Sequence, residues 1–79
     1  MERSGVRSEL ERAHRVLERW NETHPDQWTC WEWLEEAILA RQQWRWLARR
    51  NPVLALGPCQ RYSEFARRLP PALIEQLRW

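Results

Sequence analysis

The sequence predicts an all-α protein, a small helical bundle of two longer helices (about 5–21 and 29–50) plus two or three short C-terminal helices. Three observations carry that expectation. Apolar residues recur at spacings of three and four, the period of a helix face, and no window alternates with the period of two that a strand shows. The prolines stand between such stretches, at Pro25, Pro52, Pro58 and the pair Pro70-Pro71, where helices begin or stop. The chain has 79 residues, the length of a single helical domain spanning 1–79. A domain of that size is marginal unless its core is dense or a partner covers part of it.

In the first helix Val6, Leu10, Ala13, Leu17 and Trp20 form one narrow stripe at roughly 100° per residue. Ser8 and Glu11 fit a capping box, which offers Ser8 as an alternative start. Glu11 and Arg15 are placed for an i,i+4 ion pair. The stripe has heptad spacing over about two heptads, enough for a helical hairpin or a dimer seam and too short for a free coiled coil. Asn21 to Gln27 reads as a polar connection broken by Pro25. Thr29 with Glu32, or Asp26, then caps the second helix. Its acids precede its bases, an order that complements the helix dipole at both ends. Asn51-Pro52 and Gly57 suit a helix of one or two turns between them, with a buried extended segment as the alternative. A helix over about 58–69 turns Cys59, Tyr62, Phe65, Ala66 and Leu69 inward. Pro70-Pro71 ends it, and Ala72 to Trp79 forms a last short helix with Leu73, Ile74 and Leu77 inward.

Composition narrows the function. Seven residues are Trp, against one Phe and one Tyr. All thirteen basic residues are Arg. GC-rich codon usage accounts for the missing Lys. It accounts less well for so much Trp, because each indole must be buried or used. Trp and Arg are also the residues most enriched at binding hot spots. Eleven acids hold the net charge to +2, far from the balance of a typical nucleic-acid binder. Met1 to Gly5 carries no apolar run, so no signal peptide is expected, and no stretch reaches the roughly 20 apolar residues of a membrane span. A cytoplasmic location follows, in which Cys30 and Cys59 are not expected to form a bridge.

The second helix carries more than a core. Cys30, Trp33, Ala37, Ala40, Trp44, Leu47 and Ala48 gather on a broad apolar arc, extended by Trp31, Leu34 and Ile38. Trp33 and Trp44 read as core. Arg41, Arg45 and Arg49 form a ridge of like charge at i,i+4 spacing. Acids of a neighbouring helix neutralise that ridge, Glu11 or Glu18 being the candidates, or it meets an external anion. Leu39 and Trp46, seven residues apart, share one line among Glu32, Glu35, Gln42, Gln43 and Arg50. An apolar pair on a polar face marks a contact site. The partner-binding candidates are therefore Leu39, Trp46, Arg41, Arg45, Arg49 and Arg50. The alternative is that the Val53–Leu56 segment packs over the apolar pair.

Catalytic and metal chemistry find no support. His14, His24, Cys30 and Cys59 lack ligand spacing, so neither a metal nor a cofactor is expected. Ser63 has no histidine at an informative distance, and two glycines make no phosphate loop. Roughly 80 residues seldom provide a supported catalytic pocket, so the chain is not expected to be an enzyme. The Arg-Trp alternation over 41–46 resembles membrane-active peptides, but interleaved acids and a two-sided apolar arc argue against surface insertion. Tyr62-Ser63-Glu64-Phe65-Ala66-Arg67-Arg68-Leu69 resembles the first helix of a helix-turn-helix motif. That resemblance implies a DNA-binding regulator using residues 58–79. It departs from the motif where Pro70-Pro71 replaces the usual Gly-containing turn, and Gln76 and Arg78 leave few base readers. The expected function is a protein-binding module, forming a homodimer. By its profile it looks like the bacteriophage or mobile-element accessory proteins that bind and inhibit a host protein by occlusion.

Overall fold

In the computed structural model, which describes the backbone of residues 2–78 and the side chains of residues 5–78, four α-helices follow one another with no strand among them. They are α1 (Glu2–Thr23), α2 (Trp31–Arg50), α3 (Leu56–Ala66) and α4 (Pro71–Leu77), with a 3-10 turn over Pro25–Gln27. The predicted all-α bundle is what the chain forms.

The first stripe closes inside the chain. Ala13, Leu17 and Trp20 are buried against Leu34, Ala37 and Ile38 of α2, with Leu69 and α4's Leu73 and Leu77 completing the core. Leu10 packs at its edge and Val6 lies further out, half-buried. For Ala13, Leu17 and Trp20 this corrects the dimer half of the Val6, Leu10, Ala13, Leu17, Trp20 expectation, because side chains enclosed by α2 and α4 have no face left for a second copy. α1 runs past both expected ends, so Ser8 does not start it, and Glu11 and Arg15 are exposed with no ion pair among the described residues. The i,i+4 contact that does form on α1 is His14 with Glu18, at 3.3 Å.

The connection from α1 to α2 is held by backbone groups read by side chains. Asn21, read from the sequence as the boundary between the first helix and the connection, is helical. Its Oδ1 accepts from the Thr29 N–H at 2.9 Å, and its Nδ2 donates to the Thr29 carbonyl at 3.0 Å. The Trp20 indole N–H and the Thr29 hydroxyl both donate to the Gln27 carbonyl, at 3.0 and 3.1 Å. Thr29 is buried by this clasp and does not cap α2; the residue before α2 is Cys30, which makes no side-chain cap. Neither expected N-cap, Thr29 or Asp26, is therefore realised. His24 stacks on Trp20 with ring centroids 3.8 Å apart.

After α2 the chain turns once through Asn51–Ala55 and enters α3 directly. The Asn51 Oδ1 accepts from the Leu54 N–H, and the Ala55 N–H donates to the Asn51 carbonyl. Gly57 and Pro58 sit in the first turn of α3, so Gly57 is not a stop signal and takes no left-handed backbone. Proline is tolerated there because the first turn has N–H groups without helical acceptors. α3 ends at Ala66, three residues earlier than the periodicity suggested, and packs on α2. α4 crosses back to α1, where the Arg12 guanidinium donates to the Leu77 carbonyl at 2.8 Å. A cation on a terminal carbonyl satisfies an acceptor that the helix itself leaves open. Trp79 lies outside the described residues.

Candidate protein-binding surface

Three heptad-spaced rows organise the outward face of α2. The centre row is Glu32, Leu39 and Trp46; one flank is Glu35, Gln42 and Arg49; the other is Glu36, Gln43 and Arg50. Leu39 is 41% exposed and Trp46 47% exposed. The Val53–Leu56 segment therefore does not cover them. The N-terminal half of α1 supplies a wall through Gly5, Val6 and Glu9, so the pair lies in a groove of about 810 Å³. The groove is open along the helix, suited to a protein surface more than to an enclosed small molecule.

The arginine ridge divides. Arg41 turns inward and pairs with Glu9 of α1 at 3.7 Å, with both side chains mostly buried. Glu9 also accepts from the Gln42 amide. Arg41 thus leaves the candidate partner surface, and its counter-charge is Glu9 instead of the expected Glu11 or Glu18. The reason is register: a residue nearer the N-terminus of α1 than either candidate stands beside the middle of α2. Arg45 and Arg49 remain exposed, with no ion pair among the described residues. Arg50 donates to the Trp46 carbonyl at 3.0 Å and places its guanidinium 4.2 Å from the Trp46 ring centroid. That contact is a cation–π pair, worth about 0.5–1 kcal/mol at an exposed site. Arg50 thereby orders the indole that stands out from the helix.

The acids of α2 are also unpaired among the described residues: Glu32 is exposed, and Glu35 and Glu36 are half-buried. The face is therefore acidic at its N-terminal end, apolar with amides in the middle, and basic at its C-terminal end.

Other apolar exposure was not legible beforehand. Val53, Leu54 and Leu56 are all more than half exposed, whereas the sequence suggested a compact apolar segment. Only Ala55 of that stretch is buried, because a single tight turn can direct one side chain inward. The flanking Asn51-Pro52 and Gly57-Pro58 pairs were the available signal, since turn tips lie at the surface. Trp28 is exposed beside Arg67 and the Pro70-Pro71 corner. Trp33, expected in the core, lies at the surface with Arg68 over its ring at 5.6 Å. Trp44 is half-buried and stacks on Tyr62, 5.8 Å between centroids.

The helix-turn-helix resemblance meets a different geometry. α4 docks on α1 and not on α3, whereas the two helices of that motif pack on each other. Arg68 pairs with Glu64 at 3.6 Å and covers Phe65 at 5.0 Å. Leu73 and Leu77 are buried, leaving Glu75, Gln76 and Arg78 outward. Cys30 and Cys59 are free thiols, and no group of three or more His, Cys, Asp or Glu among the described residues is placed to hold a metal. No helix of the described residues is long and apolar enough to cross a membrane.

Comparison of the chain with protein-family models, with curated proteins and with solved structures finds no match.

Proposed function

We propose that this chain is a non-enzymatic protein-binding module whose docking face is the outward side of α2, centred on Leu39 and Trp46 and rimmed by Arg45, Arg49 and Arg50. The observation that supports it is the pair itself. Two large apolar side chains stand half-open to water on one line of a helix, with the polar Glu32, Gln43, Arg49 and Arg50 around them. Burying a Leu-sized side chain is worth about 1.5–3 kcal/mol, so leaving two in water is a cost that a partner removes. A Trp anchor with arginines around it is the usual make-up of a hot spot. Function by occlusion follows: the module covers a working surface of its target and inhibits it.

The test is affinity capture with the wild type, with Leu39→Ala/Trp46→Ala and with Arg67→Ala/Arg68→Ala. Loss of a bound protein only in the first variant is expected. Its thermal midpoint should stay near wild type, because exposed positions usually shift stability within about 0.5 kcal/mol. Salt-sensitive retention of DNA, abolished by the Arg67/Arg68 change, would overturn the reading in favour of a nucleic-acid regulator.

A further inference from the structure

We infer that the first occupant of this face is a second copy of the same chain, bound antiparallel, α2 against α2. The inference rests on the reading of the Leu39/Trp46 face as a protein-docking surface and names its partner. Its warrant is the charge order along the three rows. Glu32, Glu35 and Glu36 stand at one end, Arg49 and Arg50 at the other, and none of the three acids has an ion pair among the described residues. Such a face complements itself when it is reversed.

The register follows from one placement. A two-fold axis passing between Gln42 and Gln43 sets Leu39 of one copy against Trp46 of the other, twice. The same operation sets Glu35 against Arg49 along one flank and Glu36 against Arg50 along the other. Gln42 meets its own copy, as does Gln43, and amides can donate and accept at once. Apolar side chains thus meet apolar ones, acids meet bases, and amides meet amides. A two-fold interface demands this self-complementarity. A parallel pairing would instead set Glu against Glu and Arg against Arg, so the charges select orientation.

The size of the contact sets its strength. The exposed face of α2 is about 30 Å long by helix rise. One helix pair of that length is small beside the roughly 1,600 Å² of a standard interface, which places it among weaker, reversible associations. The second copy and an outside target compete for one face.

Light scattering after size exclusion tests this on the full chain over a micromolar concentration series. Twice the chain mass at the upper concentrations is expected for the wild type. Leu39→Ala/Trp46→Ala should stay at the monomer mass. Glu35→Arg/Glu36→Arg should also be monomeric, since arginines then face arginines. Arg49→Glu/Arg50→Glu should be monomeric for the converse reason. Mixing these two charge variants should restore the dimer mass as a one-to-one heterodimer. That rescue separates lost pairing from lost folding, because a misfolded chain regains nothing on mixing. A wild type at monomer mass throughout overturns the inference, as does a dimer indifferent to all these changes, or failure of the mixture to pair. If the wild type is monomeric but still captures a different protein through Leu39 and Trp46, only the second copy is wrong. If it is monomeric and captures nothing, the docking face itself falls.

Discussion

Asn21 shows how much a single side chain can decide in so small a core. It sits at the end of α1 and satisfies both the N–H and the carbonyl of Thr29, a residue otherwise sealed from water. A buried backbone group without a partner costs about 1–3 kcal/mol. Asn21→Ala should therefore lower the urea midpoint by an amount equivalent to about 1–3 kcal/mol, with the denaturant slope unchanged. Asn21→Asp keeps the acceptor and loses the donor, so it should fall between the two. An Asn21→Ala protein as stable as wild type would mean that water replaces the clasp. Trp46 lies at the other extreme. Arg50 lies over its ring, and the indole stays half-exposed. Arg41 and Arg45 show the same division: one residue of a common ridge neutralises Glu9, and the next stays in solvent.

Among the helices, α3 is the one whose starting turn contradicts its sequence signals. Asn51-Pro52 and Gly57 look like the start and stop of a short helix, yet Gly57 lies within the first turn of α3. A Cβ added there meets nothing within 4 Å beyond its chain neighbours and its own helix, and the backbone is not left-handed. The cost of alanine comes from the next residue: a Cβ on a helical residue crowds the ring of the proline that follows, here Pro58. Gly57→Ala should therefore lower the thermal midpoint, the clash outweighing the about 0.4–1 kcal/mol gained by restricting the unfolded chain. A rise would show that the turn relaxes around the added methyl. The period of three and four was legible in all four helices, because it depends only on residues within one turn of each other. Boundaries were less so. Thr29 was one of the two expected caps, but Asn21 holds its backbone and removes it from that role.

In the whole molecule, α1 is the hub: it contacts α2 and α4, while α3 contacts α2 alone. α3 also contributes no fully buried residue, whereas α4, though only seven residues long, places Leu73 and Leu77 in the core. Elements with few buried apolar groups open at lower free energy than the global unfolding. Native-state hydrogen exchange should show the amides of α3 exchanging through a partial opening, ahead of those around Ala13–Trp20 in α1. Equal protection in both would make the bundle a single cooperative unit. Such an opening would leave the Leu39/Trp46 face of α2 in place, since α3 packs on the other side of that helix, where Trp44 meets Tyr62.

The helical class, the existence of each longer helix, the apolar stripe of α1 and the placing of Leu39 and Trp46 on one otherwise polar line were determined by the sequence alone. All four are properties of one helix at a time, set by which residues share a face at the helical period. Tertiary structure decided the rest. The α1–α2 register chose Glu9 as the partner of Arg41, and the return of α4 onto α1 separated it from α3. The tight turn after Asn51 put Val53, Leu54 and Leu56 outside, and the bundle left Trp28 and Trp33 at the surface. These outcomes depend on which faces meet across long stretches of chain. A face's polarity says that it can be buried or exposed, and only the meeting of two elements says which.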